Sequence, residues 1–348
     1  MDNLTHTATG LFLARAGLKK WSPGATAVVI LAANAPDIDV VAALRGPLNY
    51  LHYHRHLTHS LLAMPLMALL CVLVVYFVRP WLGRRLPRRF GWAESGGKPI
   101  RWRGAFCAAL IAVASHLMLD LTNVYGIRLF LPFSDRWLRL DLTSVIDGWI
   151  WGIFLLCILG PVINRLVGHE ITSGSARVRN YGRGCAWFAL SFLVIYTGAR
   201  YVLHSRAVAT VDSRTYQDEL PLRIAAFPNG MNPMSWGGLA ETRDFWAWTN
   251  INLLEEYDPT RAGILNKAQP QPAIDAARAT PVFREFLRFS QFPLWRVSPV
   301  SEPDGVRLVQ VIDLRFGNPT GGGFMVSALV NASNQVTETN FRLFGRPR

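Results

Sequence analysis

Apolar residues dominate four long runs, 60–78, 104–121, 148–167 and 185–203. Each is close to the roughly 20 residues that a helix needs to cross the hydrocarbon core of a bilayer. A fifth candidate, 25–44, has the length, but Asn34, Asp37 and Asp39 fall in its second half and Pro36 interrupts or opens a helix there. Carboxylates inside an apolar segment are expensive enough to point to function. Residues 4–18 predict a shorter helix that enters the membrane only in part. After residue 205 the pattern changes. Stretches 306–316 and 324–329 alternate, with glycine turns at Gly317 and 321–323, and 245–248 predicts a strand followed later by a Pro-rich loop at 269–272. The expected fold is an α-helical polytopic membrane domain over residues 1–205, with about five spanning helices plus a short N-terminal helix. A β-rich α+β soluble domain follows over 206–348.

Charge sharpens this division. Residues 1–205 carry 21 Lys+Arg against 9 Asp+Glu, whereas 206–348 carry 15 against 14. The basic residues sit in short segments between apolar runs and not along one amphipathic face, which argues against nucleic acid as a partner and for membrane topology. Arg79, Arg84, Arg85, Arg88, Arg89, Lys98, Arg101 and Arg103 face only Glu94 within 79–103, and Arg165, Arg177, Arg179 and Arg183 mark 165–184. Both segments are expected in the cytoplasm. Counting crossings outward from them puts residues 52–59, His116, Asp120, Asp37 and Asp39 at the opposite, extracytoplasmic face. His6 joins them if the first helix descends towards Lys19, and the last run delivers 206–348 to that side. The chain is expected to cross a membrane several times, with the cytoplasm on the side of the basic segments. Arg15, Lys19 and Lys20 follow the first apolar stretch with no small-residue cleavage site, so a retained N-terminus is expected. Cys71, Cys107, Cys157 and Cys185 all lie in apolar runs, where a thiol behaves as a small hydrophobe, and predict neither a disulfide framework nor a cysteine metal site.

Candidate chemistry gathers on the predicted outer face. The stretch NYLHYHRHLTHS holds His52, His54, His56 and His59, four of the eight histidines. Imidazoles bind Zn²⁺ well, yet alone the stretch reads equally as a solvated interfacial loop. In Asn34-Ala35-Pro36-Asp37-Ile38-Asp39, carboxylates two apart can both reach a cation if the backbone is extended, or Asp37 can serve a helix start. His116 and Asp120 are an i, i+4 pair, able to share a metal or to act as ligand and orienter. Asp147 can cap the next helix, Asp135 and Asp141 are expected to face solvent, and His169 and His204 carry no role.

In order along the chain, His6, Pro36-Asp37-Ile38-Asp39, His54-Arg55 with Thr58-His59-Ser60, and His116-xxx-Asp120 resemble the motifs of a known family. It is the family of membrane-bound metal-dependent hydrolases, also described as LexA-binding, inner-membrane-associated hydrolases. The likeness extends through Tyr125-Gly126, Pro132-Phe133-Ser134 and Asp147, over roughly residues 1–165, and the long C-terminal domain resembles only a subset of longer members. The resemblance implies metal ligands at His6, Asp37, Asp39, His54, His59, His116, Asp120 and Asp147, and leaves His52 and His56 as bystanders. More remotely, the order is similar to the helical zinc phospholipase C and S1/P1 nuclease group, without a clear match for their later histidines.

The expected function is metal-dependent hydrolysis of an ester or phosphoester, in a lipid or envelope substrate, at the extracytoplasmic membrane surface. A divalent ion, Zn²⁺ by preference, would activate water and polarise the scissile group. Asp39 or Asp120 would accept a proton, Arg55 would stabilise a developing anionic oxygen or anchor a headgroup, and Thr58 would fix a ligand ring. One alternative is a non-enzymatic membrane regulator or scaffold with a structural metal, whose C-terminal domain binds an envelope partner. Ion transport is a weaker rival, because the ligands gather at one face instead of crossing the bilayer.

Overall fold

The computed structural model describes residues 1–85, 98–171, 181–300, 304–316 and 323–342. Arg88, Arg89, Glu94, Arg177, Arg179, Gly317, Gly321 and Gly322 lie outside the described residues, as do the side chains of Arg84, Arg85, Arg165 and His169. Contacts divide the chain into two units. One comprises Met1–Asp39, Arg55–Leu203 and Pro228–Pro233, and the other Val40–His54, His204–Phe227 and Met234–Arg348.

The helices in chain order are α1 (Asn3–Ala16), α2 (Ala25–Ala32), α3 (Pro47–Tyr53), α4 (Met64–Arg85), α5 (Trp102–Thr122), α6 (Gly148–Ile171) and α7 (Tyr181–Asp212). Three of the described helices are long and apolar enough to cross a bilayer: Met64–Trp81 within α4, α5, and Gly182–Asp212 within α7. A fourth is added only if α2 and the following 3₁₀ segment Ala35–Arg45 count as one span bent by 48°. The apolar part of α6, Gly148–Asn164, is shorter. Among the described residues, three or four spans are therefore found, and the expected count of about five is not confirmed. The 25–44 run breaks where Pro36 lacks an N–H and Asn34 Nδ2 donates to Ile30 O (2.9 Å), which ends α2 in favour of the tighter winding beyond.

Inside the helical unit, small residues set the spacing. Ala105, Ala108, Ala109 and Ala112 of α5 pack with Val28, Val29 and Ala32 of α2 and with Ala68, Cys71 and Val72 of α4. Such a stripe lets backbones approach closely where burial of oily surface gives no drive between helices in lipid. Outward-facing Leu66, Leu69 and Phe77 of α4 and Leu155, Leu156 and Ile163 of α6 are exposed, as a lipid-facing surface requires. Basic residues tie one end together. Arg183 Nε donates to Ala16 O (3.1 Å), Arg101 Nη2 to Lys20 O, and Arg79 Nη1 to Lys98 O (3.2 Å).

Gly10 marks the closest approach of α1 to α2, since a Cβ there would lie 2.9 Å from Ala33 Cβ and 3.1 Å from Ile30 Cα. Gly10→Val is expected to destabilise the protein by about 1–3 kcal/mol through this overpacking. Gly160→Ala, with nothing within 4 Å of its added Cβ, should be neutral or slightly stabilising. Thermal unfolding of the two variants in one detergent checks the contrast.

The second unit holds two four-stranded sheets. The first is ordered β1-β2-β3-β4 (Arg223–Pro228, Ser235–Glu241, Phe245–Asn252, Gly263–Asn266), and the second β5-β6-β7-β8 (Pro293–Pro299, Arg307–Asp313, Met325–Val330, Val336–Arg342). The stretch expected at 306–316 contains β6 but ends in a 3₁₀ turn at Leu314–Phe316, the one expected at 324–329 is β7 to within a residue, and β3 contains the strand expected at 245–248. In chain order α8 (Pro272–Arg278) and α9 (Pro281–Phe289) follow β4 and precede β5, and they pack on strands of the second sheet, α9 burying Phe283, Phe286 and Phe289. Pro272 thus ends the expected loop by opening a helix, where its missing N–H costs nothing. In this unit α3 packs beside α9, with His52 Nδ1 2.9 Å from Glu285 Oε1.

Candidate metal centre

The last two turns of α5 bring His116 and Asp120 onto one face, and both are fully buried. The break after α2 turns Asp37 inward. The 3₁₀ turn Leu57–His59, just ahead of α4, delivers His59, which is also fully buried. In α1, Asp2 caps the helix by accepting from the N–H groups of Leu4 and Thr5, and the following turn carries His6 into the interior.

These side chains converge on one point. His59 Nε2 lies 3.2 Å from His116 Nε2, 3.4 Å from Asp37 Oδ1 and 3.3 Å from Asp120 Oδ2. His116 Nε2 lies 3.7 Å from Asp37 Oδ1 and 3.3 Å from Asp120 Oδ2. Donor atoms 3.2–3.7 Å apart are close enough to share one ion at the roughly 2.1 Å at which zinc takes nitrogen and carboxylate oxygen. The donors therefore fit a small divalent ion. Neither ring nitrogen of the buried His6 makes a hydrogen bond, nor does Asp37 Oδ2, and a bound ion is one account of such buried polar atoms. His6 Nε2 stands 3.4 Å from Asp120 Oδ1, without hydrogen-bond alignment, while its ring stacks on that of His116 at 3.8 Å.

The second nitrogen of each central imidazole is held. His116 Nδ1 is 2.8 Å from the Ala33 carbonyl, so Nδ1 carries the proton and Nε2 offers its lone pair to the centre. His59 Nδ1 lies 3.2 Å from Asp39 Oδ2 and 3.1 Å from Thr58 Oγ1, which itself donates to Asp39 Oδ2 at 2.9 Å. Burial opposes a charge on His59, but Asp120, Asp37 and Asp39 outweigh it and push the imidazole up to about 10 in the metal-free protein. Burial, reinforced by His116 and the Met1 amine, pushes His6 down to about 3 and keeps it neutral.

Arg55 is buried as well, so its headgroup-anchor reading gives way to an internal one. Its backbone adopts φ 56°, a left-handed conformation that a non-glycine residue rarely takes without surrounding constraint. The constraint is visible: Arg55 N donates to Asp39 Oδ2 (2.8 Å), Nη2 pairs with Asp120 Oδ1 (3.0 Å), and Nη1 donates to Asn123 Oδ1 (3.2 Å) and Gly126 O (3.1 Å). The Met1 amine also pairs with Asp120. Asn123, absent from the expected set, accepts from the N–H groups of Tyr125 and Gly126 and donates to Asp120 Oδ1 (3.3 Å). Its signal in the sequence is its position three residues after Asp120 at the end of the same helix.

Of the expected ligands, Asp37, His59, His116 and Asp120 thus meet, with His6, Asp39, Arg55 and Thr58 around them. His54 terminates α3, stacked on Tyr50 at 4.5 Å, and its ligand atom lies within 4.8 Å of those of Asp37 and Asp39, as expected of a ligand set that includes them. Asp147 lies outside the four-residue group. Its Oδ1 accepts from the N–H groups of Trp149 and Ile150 and from the Tyr196 hydroxyl (3.1 Å), so capping α6 occupies the carboxylate. Asp135 is exposed beside Arg128, as expected, but Asp141 is buried, because Arg139 pairs with it.

The family described as YdjM inner membrane protein matches residues 1–207, more than half of the chain. The chain belongs to that family, the one its ordered motifs resemble. The uncharacterized protein YfhP of Bacillus subtilis (strain 168) is 27% identical over 168 residues, 43% of this chain and 43% of that protein. The chain therefore spans less than half the length of that curated relative. No solved structure matches the chain.

Proposed function

We propose that this member of the YdjM inner membrane protein family is a membrane-embedded, metal-dependent hydrolase. It cleaves an ester or phosphoester in a lipid or envelope substrate at the extracytoplasmic membrane surface. The observation that carries the reading is the convergence of Asp37, His59, His116 and Asp120 at separations suited to a divalent ion. A donor set of two imidazole nitrogens and two carboxylate oxygens favours Zn²⁺. Bound there, it would act as a Lewis acid towards the scissile group and its attacking water.

The chain's own residues supply the rest. Asp39 and Thr58 orient His59, and the Ala33 carbonyl orients His116, so both rings stay aimed at the centre. Asp37 Oδ2, buried and without a hydrogen bond, is the placed acceptor for the proton of the attacking water. Asp39 Oδ2 is engaged by Arg55 and Thr58, and the outer oxygen of Asp120, Oδ1, pairs with Arg55 while its Oδ2 faces the two central imidazoles. Arg55 holds Asp120 in place and adds positive charge beside the position where an anionic oxygen develops. The water oxygen bonds to the scissile carbon or phosphorus, the ester bond breaks, and the leaving oxygen takes up a proton.

One observation favours the regulator or scaffold reading: four protein donors already converge, as many as a closed structural zinc site uses, whereas catalytic zinc sites keep a position open. Cobalt-substituted protein separates the two. Under the hydrolase reading, azide shifts the visible spectrum of bound Co²⁺. Cleavage of bis-p-nitrophenyl phosphate or a carboxylic ester then disappears with chelation and returns with metal. An unmoved spectrum together with no hydrolysis would establish a closed structural site.

A further inference from the structure

The segment joining α5 to α6 turns back on itself. Ile127 and Leu138 exchange both backbone hydrogen bonds at 2.9 Å, making the neck of a hairpin, and Ile127 is fully buried. At the tip, the N–H groups of Phe133 and Ser134 both bond to Phe130 O, at 2.9 and 3.1 Å. This turn holds two aromatic side chains outward: Phe133 is 86% exposed and Phe130 49%. Large apolar side chains fixed in that direction would be costly in water.

The neighbouring residues show what covers them. Leu61 N donates to Leu129 O at 3.0 Å, which ties the hairpin to the residues just ahead of α4. Because α4 begins a membrane-length helix and Leu61, Leu62 and Leu66 are themselves exposed, the tip continues the lipid-facing surface of that helix. Polar residues follow at once, with Asp135 and Arg136 exposed. An apolar tip with a charged shoulder at the end of a span is the arrangement of an interfacial anchor.

The neck leads directly to the metal donors. Gly126, next to Ile127, accepts from Arg55 Nη1 (3.1 Å), and Arg55 Nη2 pairs with Asp120 Oδ1 (3.0 Å). The depth of the tip in a leaflet therefore fixes the depth of the centre.

We infer that the hairpin of residues 127–138 inserts Phe130 and Phe133 among the acyl chains and brings the headgroup ester of a membrane lipid to the metal centre. The substrate is thus an amphiphile resident in the bilayer and not a soluble ester. The substrate clause rests on the hydrolase reading; the insertion does not.

The test uses the full chain in vesicles of phosphatidylethanolamine and phosphatidylglycerol. With the photocrosslinker p-benzoyl-phenylalanine in place of Phe133, irradiation is expected to give a phospholipid adduct at that residue by mass spectrometry. In the Phe130→Ser/Phe133→Ser double variant, the ratio of vesicle-lipid cleavage to bis-p-nitrophenyl phosphate cleavage should fall about tenfold or more, as loss of two buried aromatic anchors implies. Absence of a lipid adduct overturns the insertion. An unchanged ratio, or a wild type active on the soluble ester alone, overturns the lipid substrate. A wild type that cleaves neither ester overturns the hydrolase reading and the substrate clause together, while the adduct still decides insertion.

Discussion

Asp120→Ala should release the metal and lower the stability of the protein by about 3–5 kcal/mol, the cost of leaving one member of a buried ion pair without its partner. Asp120 is fully buried, offers Oδ2 to the two central imidazoles, and neutralises Arg55 through Oδ1 at 3.0 Å. Its loss removes a donor and strands a guanidinium that is itself buried. The two effects can be separated, because the first belongs to the metal and the second to Arg55. Adding Arg55→Met to Asp120→Ala should recover a large part of the stability and none of the metal. Thermal unfolding and metal analysis of the single and double variants, in one detergent, read both quantities. If Asp120→Ala keeps stoichiometric metal, or if Arg55→Met restores it, the assignment of Asp120 to the centre is wrong.

The same double role explains what the amino-acid sequence could and could not disclose. The spacing of His116 and Asp120 declares a shared helical face, and long apolar runs declare α4, α5 and α7, because both follow from the 3.6-residue period and the thickness of a bilayer. The bend after α2 was announced by Pro36, but whether 25–44 crosses or turns back depends on packing that no local pattern encodes. Ala33 contributes to the site through its carbonyl, and a backbone group leaves no trace in residue identity. Asn123 was missed for a related reason: an amide at a helix end is common, and only its partners, Arg55 and Asp120, make it part of the site. Asp141 was expected in solvent because charge normally seeks water. The nearby Arg139 pairs with it and permits burial. In the C-terminal unit, alternation disclosed β6 and β7, whereas α9 is short and its Phe283, Phe286 and Phe289 follow a helical period over too few turns to stand out.

A graded series at four positions tests the division between residues that hold the metal and residues that merely surround it. His116→Ala removes a central donor nitrogen, so metal is expected to be absent after purification. Asp39→Ala leaves all four central donors in place but frees the His59 ring, since Asp39 Oδ2 lies 3.2 Å from His59 Nδ1 and also accepts from Thr58. Loss of such an outer partner weakens metal affinity about 10–100-fold, so Asp39→Ala should load fully at high metal and empty on mild chelation. Thr58→Val, which removes one hydroxyl contact to the same ring, should fall between Asp39→Ala and the wild type. Asp147→Ala should retain full metal and lose about 1 kcal/mol from the start of α6, because its carboxylate caps that helix. Competition with a chromophoric chelator ranks the four. The decisive contrast is between His116 and Asp147, two residues that the ordered motifs place in one ligand set, whereas the fold places one among the converging donors and the other at a helix end. Metal loss in Asp147→Ala equal to that in His116→Ala would return Asp147 to the ligand set and require a larger centre than the four converging donors describe.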